Sequence, residues 1–282
     1  MIEAAALTRA ATAKPIALIA TLPEGFSAAQ SARIAEAGLI PLQGLEDALT
    51  AISVAAEIGR SGPGPVWLPS SSTPIQPLTE AAAKAALSAH GVTVPQGVET
   101  TKDRAIEAAA DIGYPLAIKV MGVAHKTEAR AVHIGITHAS DLRAALTSLP
   151  EGTIFLERMI TGGVAELLVG VLLDPAHGYL LTLGAGGTLT ELWADTSTLI
   201  LPVTPDEVVL ALKSLRIAPL LSGYRGAPAA NLNAIISAVM ALQSYVLDNL
   251  ETVTEVEINP LICTADRAVA VDALIRKGQS DG

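Results

Sequence analysis

The stretch "VEINPLICTADRAVAVDALI", residues 256–275, sets three oxygen-bearing side chains, Glu257, Asn259 and Asp272, inside two runs of apolar, strand-forming residues. "TADR" (264–267) can close a hairpin between the runs. With Ala265 and Asp266 as a two-residue turn, Thr264 pairs with Arg267, and counting back pairs Asn259 with Asp272. Any even loop centred there preserves this pairing, whereas a three-residue loop shifts it. Directly opposed residues hold their Cβ atoms about 4.5–5.5 Å apart. Glu257, two residues from Asn259, lies on the same face. Hard oxygen donors with few carboxylates suit Mg²⁺, which keeps some waters and takes phosphate oxygens for the rest. The competing reading is the solvent-facing polar edge of an ordinary hairpin.

Outward from this stretch, the 282 residues suffice for one or two domains with a sizeable core. Half are apolar but only 3% are aromatic. Ala-rich runs separated by short Val/Ile/Leu runs predict helices alternating with strands, an α/β pattern. A formal net charge of −10 argues against a nucleic-acid backbone or an anionic membrane surface as the main partner. Nucleotides stay allowed, because a few local cations and backbone amides can hold them. The single cysteine, Cys263, excludes an internal disulfide and points to a reducing, cytoplasmic compartment. No uncharged stretch reaches membrane-spanning length, and "MIEAAALTRAATAKP" lacks the basic start of a signal peptide.

Residues 1–60 read as helix, strand, helix, strand, helix, with "KPIALIATL" and "LIPLQ" as strands. "SAAQSARIAEAG" is an amphipathic helix stopped by Gly38. So few parallel-type strands suggest part of a doubly wound domain whose other strands lie elsewhere. Association with a partner, as homo- or hetero-oligomer, is therefore expected. Residues 61–77 are rich in Pro, Gly and Ser and read as a linker, followed by a domain over 78–282. Thr79 and Thr101 are placed to cap the helices "EAAAKAALSAH" and "KDRAIEAAADI".

Several residues in this second part can carry chemistry. Lys119 sits mid-strand in "PLAIKVM", where its charge either meets an anion or snorkels to water from an edge strand. His125 follows in a short connection; its neutral imidazole can accept a phosphoryl group, or it can simply be solvated. Gly184, Gly186 and Gly187 in "LGAGGTLTE" can form an anion-binding nest or a tight turn. Arg225 in "GYRG" is a further phosphate contact or part of a capping turn. Glu166 can accept from a ribose hydroxyl, and backbone groups from Glu157 to Met159 can meet adenine; either acid can instead belong to a solvated strand face.

Taken in order, Lys119, "HKTEARAV", "ERMITGGVAELLVGVLLDP", "GAGGTLTEL", "GYRGAPA", "EVEINPL" and "AVDALI" resemble the ATP-grasp domain of nucleoside-diphosphate-forming acyl-CoA synthetases, such as ADP-forming acetyl-CoA synthetase. The β subunit of succinyl-CoA synthetase is similar. The resemblance covers roughly residues 76–276. Residues 1–60 look like the last part of the flavodoxin-like CoA-ligase domain that precedes ATP-grasp in fused members. The fold implied is therefore α/β, an α+β ATP-grasp domain with an incomplete N-terminal flavodoxin-like segment.

The resemblance implies a reversible acid–CoA ligase reaction that runs through phosphohistidine and uses ATP/ADP and Mg²⁺. It matches the nucleotide lysine to Lys119, the mobile-loop histidine to His125, and the metal ligands to Asn259 and Asp272. It also matches the phosphate loop to Gly184–Gly187 and the ribose acid to Glu166. Two departures stand out. Arg130 occupies a position where relatives commonly have glycine, and no Rossmann-type CoA-binding segment or second phosphohistidine domain is found. The chain thus reads as beginning partway through the CoA-ligase part and as requiring a CoA-binding subunit or domain. The alternatives are a non-catalytic subunit that binds nucleotide or a partner, and another ATP-grasp ligase that joins an acyl phosphate to an amine.

Overall fold

A computed structural model describes residues 1–12, 14–58, 75–121, 131–187 and 194–278. It divides into two compact units, Met1–Gly64 and Pro65–Gly282.

The first unit runs α1 (Ile2–Thr12), β1 (Ala17–Ala20), α2 (Ala28–Glu36), β2 (Ile40–Gln43) and α3 (Leu45–Ile58). β1 and β2 pair in parallel, from Ala17 opposite Ile40 to Ala20 opposite Gln43. A capping box opens α2: the Ser27 hydroxyl accepts from the Gln30 N–H, and the Gln30 side chain accepts from the Ser27 N–H. Gly38, at φ +73°, turns the chain from this helix into β2. Among the described residues each strand has one neighbour, and Ile19, Ile40, Leu45, Leu49, Ile52 and Val54 are exposed.

The second unit opens with β3 (Ile75–Pro77), a segment that composition alone assigns to the linker. It forms an edge strand, where a proline without an N–H is tolerated. α4 (Glu80–Ala89) follows, capped by the Thr79 hydroxyl, which accepts from the Ala82 N–H at 3.2 Å. Thr101, by contrast, makes no side-chain cap; a short 3₁₀ turn at Lys102–Arg104 precedes α5 (Ala105–Ile112).

A four-stranded sheet comprises β4 (Gly97–Thr100), β5 (Leu116–Val120), β6 (Val132–Ile136) and β7 (Ile154–Arg158), in the order β4-β7-β5-β6. It packs with α5 and α6 (Ala139–Ser148) around Ile118, Leu142, Ile154 and Leu156. The larger sheet joins β3 to β8 (Ala165–Asp174), β9 (Gly178–Ala185), β10 (Thr196–Ile200), β11 (Val253–Cys263), β12 (Ala268–Ala270) and β13 (Ala273–Gly278). Its order is β10-β9-β8-β11-β13-β3, with β12 also on β11. Every described pairing in both sheets is antiparallel, so the simple helix–strand alternation read from composition holds as a parallel arrangement only in the first unit. For β8 and β9, as for β11 and β12, the reason is connection length: they follow one another too closely for a crossover helix.

One face of the larger sheet is the core. Leu167, Val169, Val171, Leu181, Leu183, Val256, Ile258 and Leu261 pack there against Leu87 of α4, against α7 (Pro205–Ser214), and against Ile235, Val239 and Leu242 of α9 (Leu232–Leu247). A short helix, α8 (Ala218–Leu221), lies between α7 and α9. Burying each large aliphatic side chain is worth roughly 1.5–3 kcal/mol. Alternation then turns the intervening residues, Glu166, Leu168, Gly170 and Glu257 among them, to the other face, and the candidate site is built there.

Candidate functional site

The hairpin register is the one counted from a two-residue turn. The Thr264 N–H donates to the Arg267 carbonyl at 2.8 Å, and Cys263, Ile262 and Leu261 face Ala268, Val269 and Ala270. Beyond the gap in the second arm, Ile258 faces Ala273 and Glu257 faces Leu274. Asn259 and Asp272 fall opposite each other between these runs, the Asn259 N–H donating to the Asp272 carbonyl at 3.3 Å. The register against β8 shifts between Ile258 and Leu261, where Pro260 has no N–H for a ladder bond. Asn259 therefore sits at a local irregularity of the strand.

The three predicted oxygen donors share a patch. The Asn259 amide hydrogen-bonds the Glu257 carboxylate. Burial raises the Glu257 carboxyl above its ordinary value, and the neighbouring charges of Glu255 and Asp272 add to this, against the Asn259 hydrogen bond and Arg276. The Asp272 carboxylate accepts from the Ala273 N–H at 2.9 Å. Two carboxylates and an amide oxygen are a donor set suited to a hard divalent cation. Among the described residues no group of three or more His, Cys, Asp or Glu has metal-binding geometry, so a cation here relies on the amide oxygen and on phosphate or water.

The glycine segment adjoins this patch. The Gly187 N–H donates to Asn259 Oδ1 at 2.9 Å, and the Gly186 N–H to the Glu166 carbonyl at 2.8 Å. Gly184 and Gly186 are required by close approach of backbone, and Gly187 by its positive φ. A Cβ at Gly184 would lie 2.8 Å from the Asp195 carbonyl oxygen, and one at Gly186 only 2.6 Å from that of Leu167. Gly187, at φ +85°, lies against the Glu166 carboxylate. The Glu166 side chain is exposed on the site face.

Lys119 is where the structure departs most from a bare phosphate lysine. β5 is an interior strand, which excludes the snorkelling edge lysine, and Lys119 is only 7% exposed. Its ammonium contacts Glu80 Oε1 at 2.7 Å, Glu157 Oε1 at 2.8 Å and the Val271 carbonyl at 2.6 Å. Burial on its own would lower its pKa; the Glu157, Glu80 and Asp272 carboxylates outweigh that and hold it above the usual lysine value. The Val271 contact and the Asp272 charge put Lys119 beside the metal-ligand candidates. Lys84 closes the group, 2.9 Å from Glu80 Oε1 and 2.6 Å from Glu157 Oε2, with its ammonium 5.0 Å from the Phe155 ring centroid.

The Glu157 side chain is thus buried in ion pairs, while Glu166 is the acid on the open face. Among backbone groups proposed to meet adenine, the Arg158 N–H donates to the Gln96 carbonyl and the Met159 N–H to the Pro115 carbonyl. Arg225 stands apart from these contacts on an exposed turn. Its φ is +51° and its guanidinium lies 5.2 Å from the Tyr224 ring. His125 and Arg130 lie outside the described residues. Glu80 and Lys84 were not singled out from sequence. Their signal was present: charges at i and i+4 share the buried stripe of α4 with Ala83 and Leu87.

Residues 72–276 match the ATP-grasp domain family, and the chain belongs to that family. Residues 1–71 lie outside the match. The β subunit of ADP-forming acetate–CoA ligase II from Pyrococcus furiosus is 30% identical over 218 residues, covering 71% of this chain and 92% of the relative. The β subunit of ligase I from the same organism is 28% identical over 212 residues, covering 70% and 90%. A solved structure of the dinucleotide-forming acetyl-coenzyme A synthetase 1 of Ca. Korarchaeum cryptofilum superposes with a TM-score of 0.63 at 25% identity, covering 71% of this chain and 92% of that one. That enzyme was captured with coenzyme A and Mg-AMPPCP, its phosphohistidine segment pointing towards the nucleotide binding site. Among the described residues, no helix of this chain is long and apolar enough to cross a membrane.

Proposed function

We propose that this chain is the nucleotide-binding and phosphoryl-transfer portion of a nucleoside-diphosphate-forming acyl-CoA synthetase, working in the cytoplasm with a CoA-binding subunit or domain. The full reaction is acid, CoA and ATP to acyl-CoA, ADP and phosphate, reversibly, through phosphohistidine. The observation that carries this reading is the pairing of Asn259 with Asp272 beside Lys119 and the Gly184–Gly187 segment. The Mg-AMPPCP complex of the Korarchaeum relative supports it from outside the chain.

Asn259 and Asp272, with Glu257 beside them, would hold Mg²⁺, which when bound offsets the charge of the β- and γ-phosphates. Glu166, on the open face, would accept from the ribose. Backbone groups between Glu157 and Met159 would border the adenine. Arg225 would be a further phosphate contact. His125 would accept the γ-phosphoryl group: the bond from phosphorus to the ADP oxygen breaks, and a bond to an imidazole nitrogen forms. Such transfer depends on positioning and electrostatics more than on covalent help from the protein.

Calorimetry with Mg-ADP and Mg-ATP is the direct test; binding in the micromolar to low-millimolar range is expected, and its absence would refute the proposal. Incubation with labelled ATP should then label a histidine, less in Asp272→Asn and not at all in His125→Ala. Saturable nucleotide binding with no ADP–ATP exchange would favour a non-catalytic binding subunit instead.

A further inference from the structure

We infer that Glu80 and Lys84 of α4 are positioning residues that set the charge Lys119 presents to the nucleotide phosphates. This rests on the nucleotide-binding reading above and extends it to two residues outside the patch.

A lysine ammonium has three N–H donors. Those of Lys119 already have three acceptors, Glu80 Oε1, Glu157 Oε1 and the Val271 carbonyl, all within 2.8 Å. Any phosphate contact by Lys119 must therefore replace one of them. Turning away from either carboxylate would take a cation from a buried anion, since Glu80 is 6% and Glu157 2% exposed. Lys84 limits that cost. Its ammonium touches both acids, at 2.9 Å and 2.6 Å, and stays with them whichever one Lys119 releases. Lys84 is itself 2% exposed and lies under the Phe155 ring, so it is not a phosphate ligand but a fixed counter-charge.

These four side chains contribute two negative and two positive charges, and the Asp272 carboxylate acts on Lys119 from beside them. Removing one ammonium makes the surroundings of the Val271–Asp272 corner, where polyphosphate is to bind, more negative by one charge. Removing one carboxylate makes them more positive by one charge. In a buried setting such changes are weakly screened, so they act on a charged ligand and not on a neutral one of the same shape.

Four forms of the full chain should be compared by calorimetry with ADP and with adenosine at fixed Mg²⁺: unaltered, Lys84→Met, Glu80→Gln, and the double variant. Lys84→Met should weaken ADP at least tenfold with adenosine changed less than twofold. The double variant, at the original net charge, should recover ADP affinity to within about threefold of the unaltered chain, and Glu80→Gln alone should bind ADP at least as tightly. A merely structural role would shift ADP and adenosine together and would not be rescued by a second substitution. Should Lys84→Met fail to fold, the other two variants decide: ADP binding weakened more than about threefold in the double variant, or weakened at all in Glu80→Gln, overturns the inference. Normal ADP binding by folded Lys84→Met also overturns it while leaving the proposed function standing; an unaltered chain that binds neither ADP nor ATP overturns both.

Discussion

Asn259 and Asp272 face each other across the two arms of one β-hairpin, joined by the Asn259 N–H to the Asp272 carbonyl at 3.3 Å. The Asn259 side chain meanwhile reaches the Gly187 N–H and the Glu257 carboxylate. Strand register, glycine segment and acidic patch thus meet at one residue.

This patch brings the Glu257 and Asp272 carboxylates within reach of each other's charge, which yields a prediction with two signs. Asp272→Asn should weaken Mg-ADP by about tenfold or more, roughly 1.4 kcal/mol. With the metal chelated, the same variant should bind free ADP no worse than the unaltered chain, because a repelling carboxylate is gone. Titrations with Mg²⁺ and with EDTA separate the two effects.

The glycines should differ in what a methyl group costs. Gly162 has φ +73° but open space around it, so Gly162→Ala should cost only the backbone term, about 1–2 kcal/mol. Gly186 faces the β8 backbone, with the Leu167 carbonyl oxygen at 2.6 Å and the Leu168 nitrogen at 2.8 Å from the new Cβ. Gly186→Ala should exceed Gly162→Ala in urea unfolding and should also weaken nucleotide binding, because β8 and the Asn259 segment shift together.

Thr79 caps the helix whose first residue is Glu80. Thr79→Ala should destabilise the unit by about 1 kcal/mol. Fraying there loosens Glu80, so a modest loss of ADP affinity should accompany the lower melting temperature, while Thr101→Ala, which removes no side-chain cap, should leave stability nearly unchanged.

Cys263 is buried in the larger core, and burial pushes its thiol up to about 12. Its folded pKa lies above the unfolded one, so the unfolded chain loses this proton first as pH rises. Stability should therefore fall as pH climbs above the ordinary thiol range toward 12. A thiol reagent at pH 8 should modify Cys263 only as fast as the chain unfolds, and a rapid burst in native buffer would contradict its placement.

Much of the local structure was legible in the residues themselves. Ser27 and Thr79 cap their helices as hydroxyl residues before apolar-periodic runs do, and Gly38 stops α2 because it tolerates positive φ. The Thr264–Arg267 turn set the register of β11 against its partner strands, since side chains alternate with period two and any slip by one residue would bury Asn259. Thr101 misled for the opposite reason: a hydroxyl before a helix is a capping candidate, yet here a 3₁₀ turn intervenes and no cap bond forms.

The chain's own order of residues determined the helices, the hairpin register and the polar triplet of Glu257, Asn259 and Asp272, because each depends on neighbours a few positions apart. Only the tertiary structure decided what Lys119 meets. Its acceptors lie 38–39 residues away at Glu80 and Glu157 and 152 residues away at Val271. Sequence shows that a charge mid-strand needs an anion; which anion is a matter of which distant elements pack against that strand. It likewise kept Arg225 on an outer turn and tied Gly187 to Asn259, since contacts between separate sheet segments follow from how apolar faces close on one another and not from spacing along the chain.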